Sequence, residues 1–361
     1  EMIGRLDDIE KVFKRVEILD RTTDGPMSTD QLAEFIGERL QEVRSVLVVL
    51  NTKATVKRLY ERIADIGVPV FHLSTSMCPA HRKDILDKVK ELLDQEKPVI
   101  CVSTQLIEAG VDISFDCVIR SLAGLDSIAQ AAGRCNRHGR NGIQKVYVID
   151  HAEEKLDKLP EILKGKEIAK KILAEIRRDG SAHGGNMLSR QAMQRYFLEL
   201  YAEFKNMLTY PLTESGKSTD IVSLLTANRK DEKSFHLDYR QHHGGKALHL
   251  ILINSYRTAA EHFEVIRDLT ESVLVPYGDQ GKEIIARLSG NEPVENLSKL
   301  LREAQQYSVN LYKQEMERLS KNGGIVSLMD GGILALKESA YSEDYGVNIE
   351  NDGSLDLAMW G

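Results

Sequence analysis

Over the first 150 positions, short apolar runs alternate with amphipathic stretches. Val46–Leu50 and Val99–Val102 are continuously apolar, as strands buried on both faces of a parallel sheet should be. Val16–Leu19, Val68–Phe71, Cys117–Ile119 and Val146–Ile149 read as further strands. Between them lie helical periods. Thr52 suits an N-cap, and Val56, Leu59, Tyr60 and Ile63 follow on one helical face. Pro79 can open the next helix, whose stripe is Ile85, Val89, Leu92 and Leu93, and another helix is expected around Ser127–Cys135. Strands alternating with helices predict an α/β fold, a parallel sheet flanked by helices.

The texture changes near residue 156. Residues 161–178 and 189–207 have helical periods with no strand between them, only Gly184-Gly185 and Asn186. Ser215–Asp220 and Asn228–Lys233 are polar and read as loops. From about 236 a mixed region begins. It holds the apolar run Leu248–Ile253, a helix near Ala259–Leu269, a long helix near Val294–Tyr312, and a hairpin-like segment at Ile325–Met329 between glycine pairs. The expected domains are 1–155, a helical linker over 156–235, and a small mixed α+β C-terminal domain over 236–361.

The 361 residues exceed one comfortable core, and 42% hydrophobic with 29% charged residues is ordinary for a globular protein. No apolar run is long enough to span a membrane. The start, Glu1-Met2-Ile3, lacks an export signal and suggests a piece of a longer chain. Cys78, Cys101, Cys117 and Cys135 form no CxxC pair, so zinc is not indicated and a reducing cytoplasm is the natural setting. The net charge of −7 is spread evenly, with 22 basic and 25 acidic residues over 1–155 and 26 and 30 beyond. Binding of nucleic acid through bulk positive charge is therefore excluded, and any such site must be a local groove.

The strongest motif is Gln130-Ala131-Ala132-Gly133-Arg134-Cys135-Asn136-Arg137-His138-Gly139-Arg140. On a helix, Gln130, Arg134 and Arg137 would share one face, and Gly133 would let another surface approach. Two guanidiniums and an amide suit a dense anion such as a triphosphate; a solvated basic face is the bland alternative. The second motif, Ser103-Thr104-Gln105-Leu106-Ile107-Glu108-Ala109-Gly110-Val111-Asp112, begins where a buried strand ends. Ligands bind at that edge of open α/β sheets. Ser103 and Thr104 offer hydroxyls and a helix N-terminus to phosphate, Gly110 permits a tight turn, and Asp112 returns a carboxylate to the edge. A capped helix and an ordinary turn would use the same residues.

These two stretches resemble motifs V and VI of superfamily 2 helicases. Their wording is similar to the CRISPR-associated helicase–nuclease of type I interference systems. Leu50-Asn51-Thr52-Lys53, and His72-Leu73-Ser74 followed by Arg82, resemble that family's neighbouring helicase motifs. Tyr256-Arg257-Thr258-Ala259-Ala260 with Phe263, and the ending Tyr341-Ser342-Glu343-Asp344-Tyr345-Gly346, resemble its C-terminal domain, the ending in the manner of subtype I-C.

The resemblance implies a second RecA-like domain over 1–155 within an ATP-dependent, 3′ to 5′ single-stranded DNA translocase and nuclease. Its cofactors are ATP and Mg²⁺, and a surveillance complex recruits it. Arg137 becomes the arginine finger, with Arg134 beside it and Gln130 near the phosphate or the attacking water. Gly110, Asp112 and Gly133 shape the nucleotide side. Thr52, Ser74, Ser103 and Thr104 become the DNA contacts. No phosphate loop stands in the sequence: Gly216-Lys217-Ser218 has Pro211 where its first glycine should be. Asp231-Glu232 follows no buried strand, and no His-Asp dipeptide of a nuclease occurs. The expectation is therefore a C-terminal half, with the phosphates and Mg²⁺ held mainly by a first RecA-like domain. His236, His242, His243 and His249 lack metal-ligand spacing and read as a surface loop. The alternatives are a module that docks a surveillance complex, DNA or an inhibitor protein, and a free-standing RecA-like regulator.

Overall fold

The computed structural model describes residues 15–108, 110–139, 142–205, 210–214, 217–226, 235–246, 249, 255–263, 270–290 and 296–349. These fall into two compact units, one within Glu1–Tyr196 and Leu269–Gly361, the other within Phe197–Asp268.

The first unit is built on six parallel strands in the order β1-β6-β5-β2-β4-β3. They are β1 (Val16–Asp20), β2 (Ser45–Val49), β3 (Val70–Leu73), β4 (Val99–Ser103), β5 (Cys117–Ser121) and β6 (Gln144–Ile149). Alternation along β2 explains the sandwich. Val46 and Val48 pack with Leu32, Ile36, Val56, Leu59 and Ile63 on one face. Leu47 and Val49 pack with Ile85, Val89, Ala131 and Cys135 on the other. Each such side chain, fully buried, contributes about 1.5–3 kcal/mol of transfer free energy. Helices Thr29–Leu40 and Lys53–Ile63 cover the first face, and Pro79–Asp94 covers the second. Ser28 and Gln31 form a reciprocal capping box, and Thr52 accepts from Thr55 N as expected of an N-cap. Helices Pro160–Arg178 and Arg190–Glu203 follow the sheet, matching the two predicted helical periods.

A ribbon follows in which β7 (Pro211–Glu214) pairs antiparallel with β8 (Lys217–Asp220). The expected loop over 215–220 is thus largely a strand. Helices Ile221–Thr226, Phe235–His242 and Tyr256–His262 follow. His236 and His242 lie on one of these helices rather than in a surface loop, and exposed His243 stacks on Tyr239 at 4.0 Å. The expected loop at 228–233 and most of the apolar run at 248–253 lie outside the described residues.

A second, mixed sheet runs β10-β9-β12-β11, with β9 (Thr270–Leu274), β10 (Ser308–Tyr312), β11 (Ile325–Leu328) and β12 (Ile333–Leu336). The hairpin-like segment Ile325–Met329 is only the first strand of a hairpin, β11, whose partner β12 lies beyond the second glycine pair. The predicted long helix over 294–312 is instead a short helix, Leu297–Ala304, a 3-10 turn and strand β10. Val309 and Leu311 are buried while Asn310 and Tyr312 are exposed, a two-residue period that no helix could satisfy.

The core of this sheet reaches back to Cys78 of the first sheet's layer, through Val273, Leu336, Ala340 and Val347. A two-stranded bridge, β13 (Tyr341–Ser342) with β14 (Gly346–Val347), completes the junction. Tyr341 Oη accepts from Cys78 N at 3.2 Å, Val347 N donates to Ser76 O at 2.8 Å, and His81 stacks on Tyr277 at 4.1 Å. Lys53 pairs with the buried Glu315 at 3.0 Å. All four cysteines are free and buried.

Candidate functional site

The Ser103–Asp112 motif leaves the carboxyl edge of the first sheet and crosses to its amino edge, where Phe115, just before β5, bridges to Cys135 of the basic motif. Leu50 N bonds Ser103 O at 3.0 Å and Thr104 N bonds Leu73 O at 3.2 Å, so the segments after β2, β3 and β4 leave side by side. This brings Thr52, Ser74, Ser103 and Thr104 to one edge. Their hydroxyls have different surroundings. Thr52 is buried, accepts from Thr55 N and shares a 2.8 Å hydrogen bond with Thr55 Oγ1. Ser74 is fully buried and accepts from Ser76 N at 3.2 Å. Ser103 is fully buried and donates to Thr104 O at 2.8 Å. Thr104 is half-buried, and its hydroxyl has no hydrogen-bond partner among the described residues.

After β4 the chain takes a 3-10 turn, Gln105–Glu108, and Gly110 adopts φ 73°, the left-handed conformation that favours glycine. Asp112 stands exposed, with Oδ1 2.9 Å from Arg137 Nε. The following residues run alongside the basic motif. Phe115 N donates to Arg134 O and Asn136 N to Phe115 O, both at 2.9 Å, while Arg137 N donates to Ser114 Oγ at 2.9 Å. A short ladder thus fixes the two motifs against each other.

The expected helix around Ser127–Cys135 is Leu125–Ala132, and Gly133 is its C-cap. Gln130, Arg134 and Arg137 therefore do not share a helical face. The chain leaves the helix, bridges to Phe115, and reverses at Asn136, whose φ is 45°. Gln130 is exposed on the last turn and Arg137 is half-exposed. Arg134 is buried, with Nε donating to Ile107 O at 2.9 Å and Nη2 to Glu108 O at 2.6 Å. Burial and the like charge of Arg137 lower its pKa. A Cβ on Gly133 would stand 3.2 Å from Gln130 O, so glycine serves the helix end here as well as any approaching surface.

Three polar residues beneath this edge are not among the sequence-derived candidates. Arg120 and Glu108 are buried, with Nε 2.9 Å from Oε1, and Ser127 donates to the same carboxylate at 2.7 and 2.8 Å. A signal for them exists in the sequence. Arg120 interrupts an otherwise apolar strand, and a charge inside such a strand has to be paired.

Residues 42–140 match the family described as CRISPR-associated nuclease/helicase Cas3, C-terminal. The CRISPR-associated nuclease/helicase Cas3 of Haloferax volcanii is 45% identical over 86 residues, covering 23% of this chain and 9% of that protein. Its counterpart in Streptococcus thermophilus is 27% identical over 136 residues, covering 35% and 15%. The crystal structure of T. fusca Cas3-ADP aligns with a TM-score of 0.53 at 14% identity, over 92% of this chain and 41% of that one. A chain of a CRISPR RNA-guided surveillance complex, pre-nicking, aligns at 0.51 and 11% identity, over 93% and 44%. The chain thus spans well under two thirds of these relatives. The likeness to the solved structures is one of fold, a RecA-like parallel sheet followed by a smaller mixed sheet. No helix among the described residues is long and apolar enough to cross a membrane.

Proposed function

We propose that this chain is the C-terminal half of an ATP-dependent single-stranded DNA translocase and nuclease of CRISPR defence. It supplies the arginine-finger side of the ATP site and part of the DNA track. Residues 1–155 are the second RecA-like domain, 156–235 the linker and 236–361 the C-terminal domain of this reading. The observation that carries it is the ladder that holds half-exposed Arg137 beside Asp112, where the basic motif meets the segment entering β5.

A half-exposed guanidinium fits the phosphate oxygens of a nucleotide from one side. The Arg137–Asp112 pair is solvent-accessible on both partners, and such pairs are worth only about 0–1 kcal/mol. Arg137 can therefore exchange Asp112 for a phosphate at little cost. Bound ATP would supply the phosphoanhydride that is cleaved. Arg137 would then balance negative charge that develops on the transferring phosphoryl group, and Gln130 would orient a phosphate oxygen or the attacking water. Arg134 acts indirectly, by holding the Ile107 and Glu108 carbonyls. Among the described residues no cluster of three or more His, Cys, Asp or Glu could hold a metal ion. The carboxylates that would hold Mg²⁺ belong to a first RecA-like domain in this reading.

On the nucleic-acid side, half-buried Thr104 offers its hydroxyl, while Thr52, Ser74 and Ser103 shape the edge. Contacts of this kind read the backbone rather than the base, which suits 3′ to 5′ translocation on any sequence. Single-stranded DNA and a CRISPR surveillance complex are the partners. In the complete protein, Arg137→Ala should lower ATP turnover by about 10³-fold while nucleotide affinity changes little. Turnover within tenfold of wild type would remove Arg137 from the site.

A further inference from the structure

Arg120 is the last residue but one of β5 and is fully buried, yet its side chain meets three segments that leave the same sheet edge. Nη1 donates to Asn51 Oδ1 at 2.8 Å, and Asn51 directly precedes the N-cap Thr52. Nη2 donates to Ser127 Oγ at 2.7 Å, on the helix that leads to Gln130 and Gly133. Nε lies 2.9 Å from Glu108 Oε1 but off line for a hydrogen bond, so that contact is Coulombic. Nη1 also reaches Ser121 O at 2.8 Å. Glu108 closes the circuit. Its carboxylate accepts from Ser127, and its own carbonyl accepts from Arg134. Asn51 is held in turn by Glu154, with Nδ2 2.6 Å from Oε2.

A planar guanidinium with donors in a fixed fork imposes a relative position on everything it binds. Here it binds the segment before Thr52, the turn after Thr104, and the helix before Arg134. A shift of any one of them leaves a buried donor or carboxylate without its partner, which is costly in so dry a place. The three segments therefore move together or break a buried network.

Resting on the function proposed above, we infer that Arg120 and Glu108 are positioning residues that couple the nucleotide side of the site to the DNA side. They touch neither ligand. Their role is to make a change at Arg137 felt at Thr104. Energetic coupling of this kind is a difference between liganded states rather than an affinity for either ligand.

The test uses the complete protein, with ATP and a single-stranded oligonucleotide as probes. Glu108→Gln keeps the shape and removes the charge. The pair Arg120→Met with Glu108→Gln removes both charges, so that no buried ion is left alone if the single variant folds poorly. Four quantities are read: ATPase without DNA, ATPase at saturating DNA, and the affinity for each probe. Stimulation by DNA should fall at least tenfold in both variants, while DNA-independent ATPase and both affinities stay within about threefold of wild type. Unchanged stimulation would overturn the inference. So would a uniform drop of all four quantities with the folded fraction, which marks a merely structural pair. A wild-type protein without any DNA-stimulated ATPase would instead sink the function on which the inference rests.

Discussion

Arg134 and Arg137 stand three residues apart in one motif, and the structure predicts opposite consequences for their loss. The Arg134 guanidinium is buried and supplies the donors for two main-chain carbonyls, Ile107 O and Glu108 O. A hydrogen bond from a charged group contributes about 1.5–3 kcal/mol. Arg134→Ala removes two of them and the packing of the stem, and leaves two buried acceptors. The space vacated by the side chain admits water, which recovers part of the loss. A net cost of about 3 kcal/mol follows. The side-chain pair of Arg137 is open to solvent, so Arg137→Ala should cost less than about 1 kcal/mol. Arg134→Lys should fall between, because an ammonium cannot serve both carbonyls with the guanidinium's geometry.

The assay is urea or thermal unfolding of this chain with each substitution. For a unit of this size about 3 kcal/mol corresponds to a Tm lower by roughly 6–12 °C. A loss below about 1 kcal/mol for Arg134→Ala, or equal losses for the two alanine variants, would refute the division of labour.

Further outcomes are specific. Gly346 has φ 85°, and a Cβ there would run into the Ser76 carbonyl, so Gly346→Ala should loosen the junction and expose Cys78. Maleimide should then label Cys78 faster than in wild type, where every described cysteine is buried, and an equal rate would count against the junction. A Cβ at Gly124 would displace Tyr196, whose hydroxyl donates to Asp126 at 2.7 Å, so Gly124→Ala should destabilise the unit by about 1–3 kcal/mol in a denaturant titration. Burial pushes the His72 pKa down to about 3 and that of His81 down to about 4. Both stay neutral in the fold, and the unfolded chain takes up the protons first. The stability they carry is therefore complete above about pH 6.5 and is lost as pH falls toward those values, by about 2 kcal/mol each at pH 5. Replacing His72 with Gln should flatten the slope between pH 5 and 6.5, and an unchanged slope would refute the assignment.

The central sheet was legible because its strands are buried on both faces and announce themselves as unbroken apolar runs. Less of the second sheet was. Ser308–Tyr312 has the two-residue alternation of a half-buried strand, but it follows the helical period of Leu297, Leu300, Leu301 and Ala304 without a proline or glycine between. A period judged over too wide a window carries the first pattern into the second. The strand Lys217–Asp220 is short and polar, and it forms only by pairing with Pro211–Glu214. Its stability comes from its partner, which local sequence does not name. The helix expected to reach Cys135 stops at Ala132 and the chain then bridges to Phe115, a tertiary pairing that the helical spacing of Gln130, Arg134 and Arg137 does not reveal.

The candidate site shows the same limit at the scale of single atoms. A hydroxyl at the end of a parallel strand has two uses, to cap the next helix or turn and to meet a ligand, and the residue type is the same for both. Spacing brought four hydroxyls to one edge, and only burial separates them. Thr52, Ser74 and Ser103 use theirs within the fold, while Thr104 is only half-buried. The basic motif divides likewise, with Arg134 turned inward to carbonyls and Arg137 outward beside Asp112. What the motif conserves in space is then a frame and an instrument together. The inward groups fix where the outward ones stand, so the outward ones can act on a ligand without first paying to be ordered. Arg120 extends that logic beneath the surface. Its charge in an apolar strand makes no sense for the strand alone, and becomes intelligible once three segments of one edge are seen to hang from it.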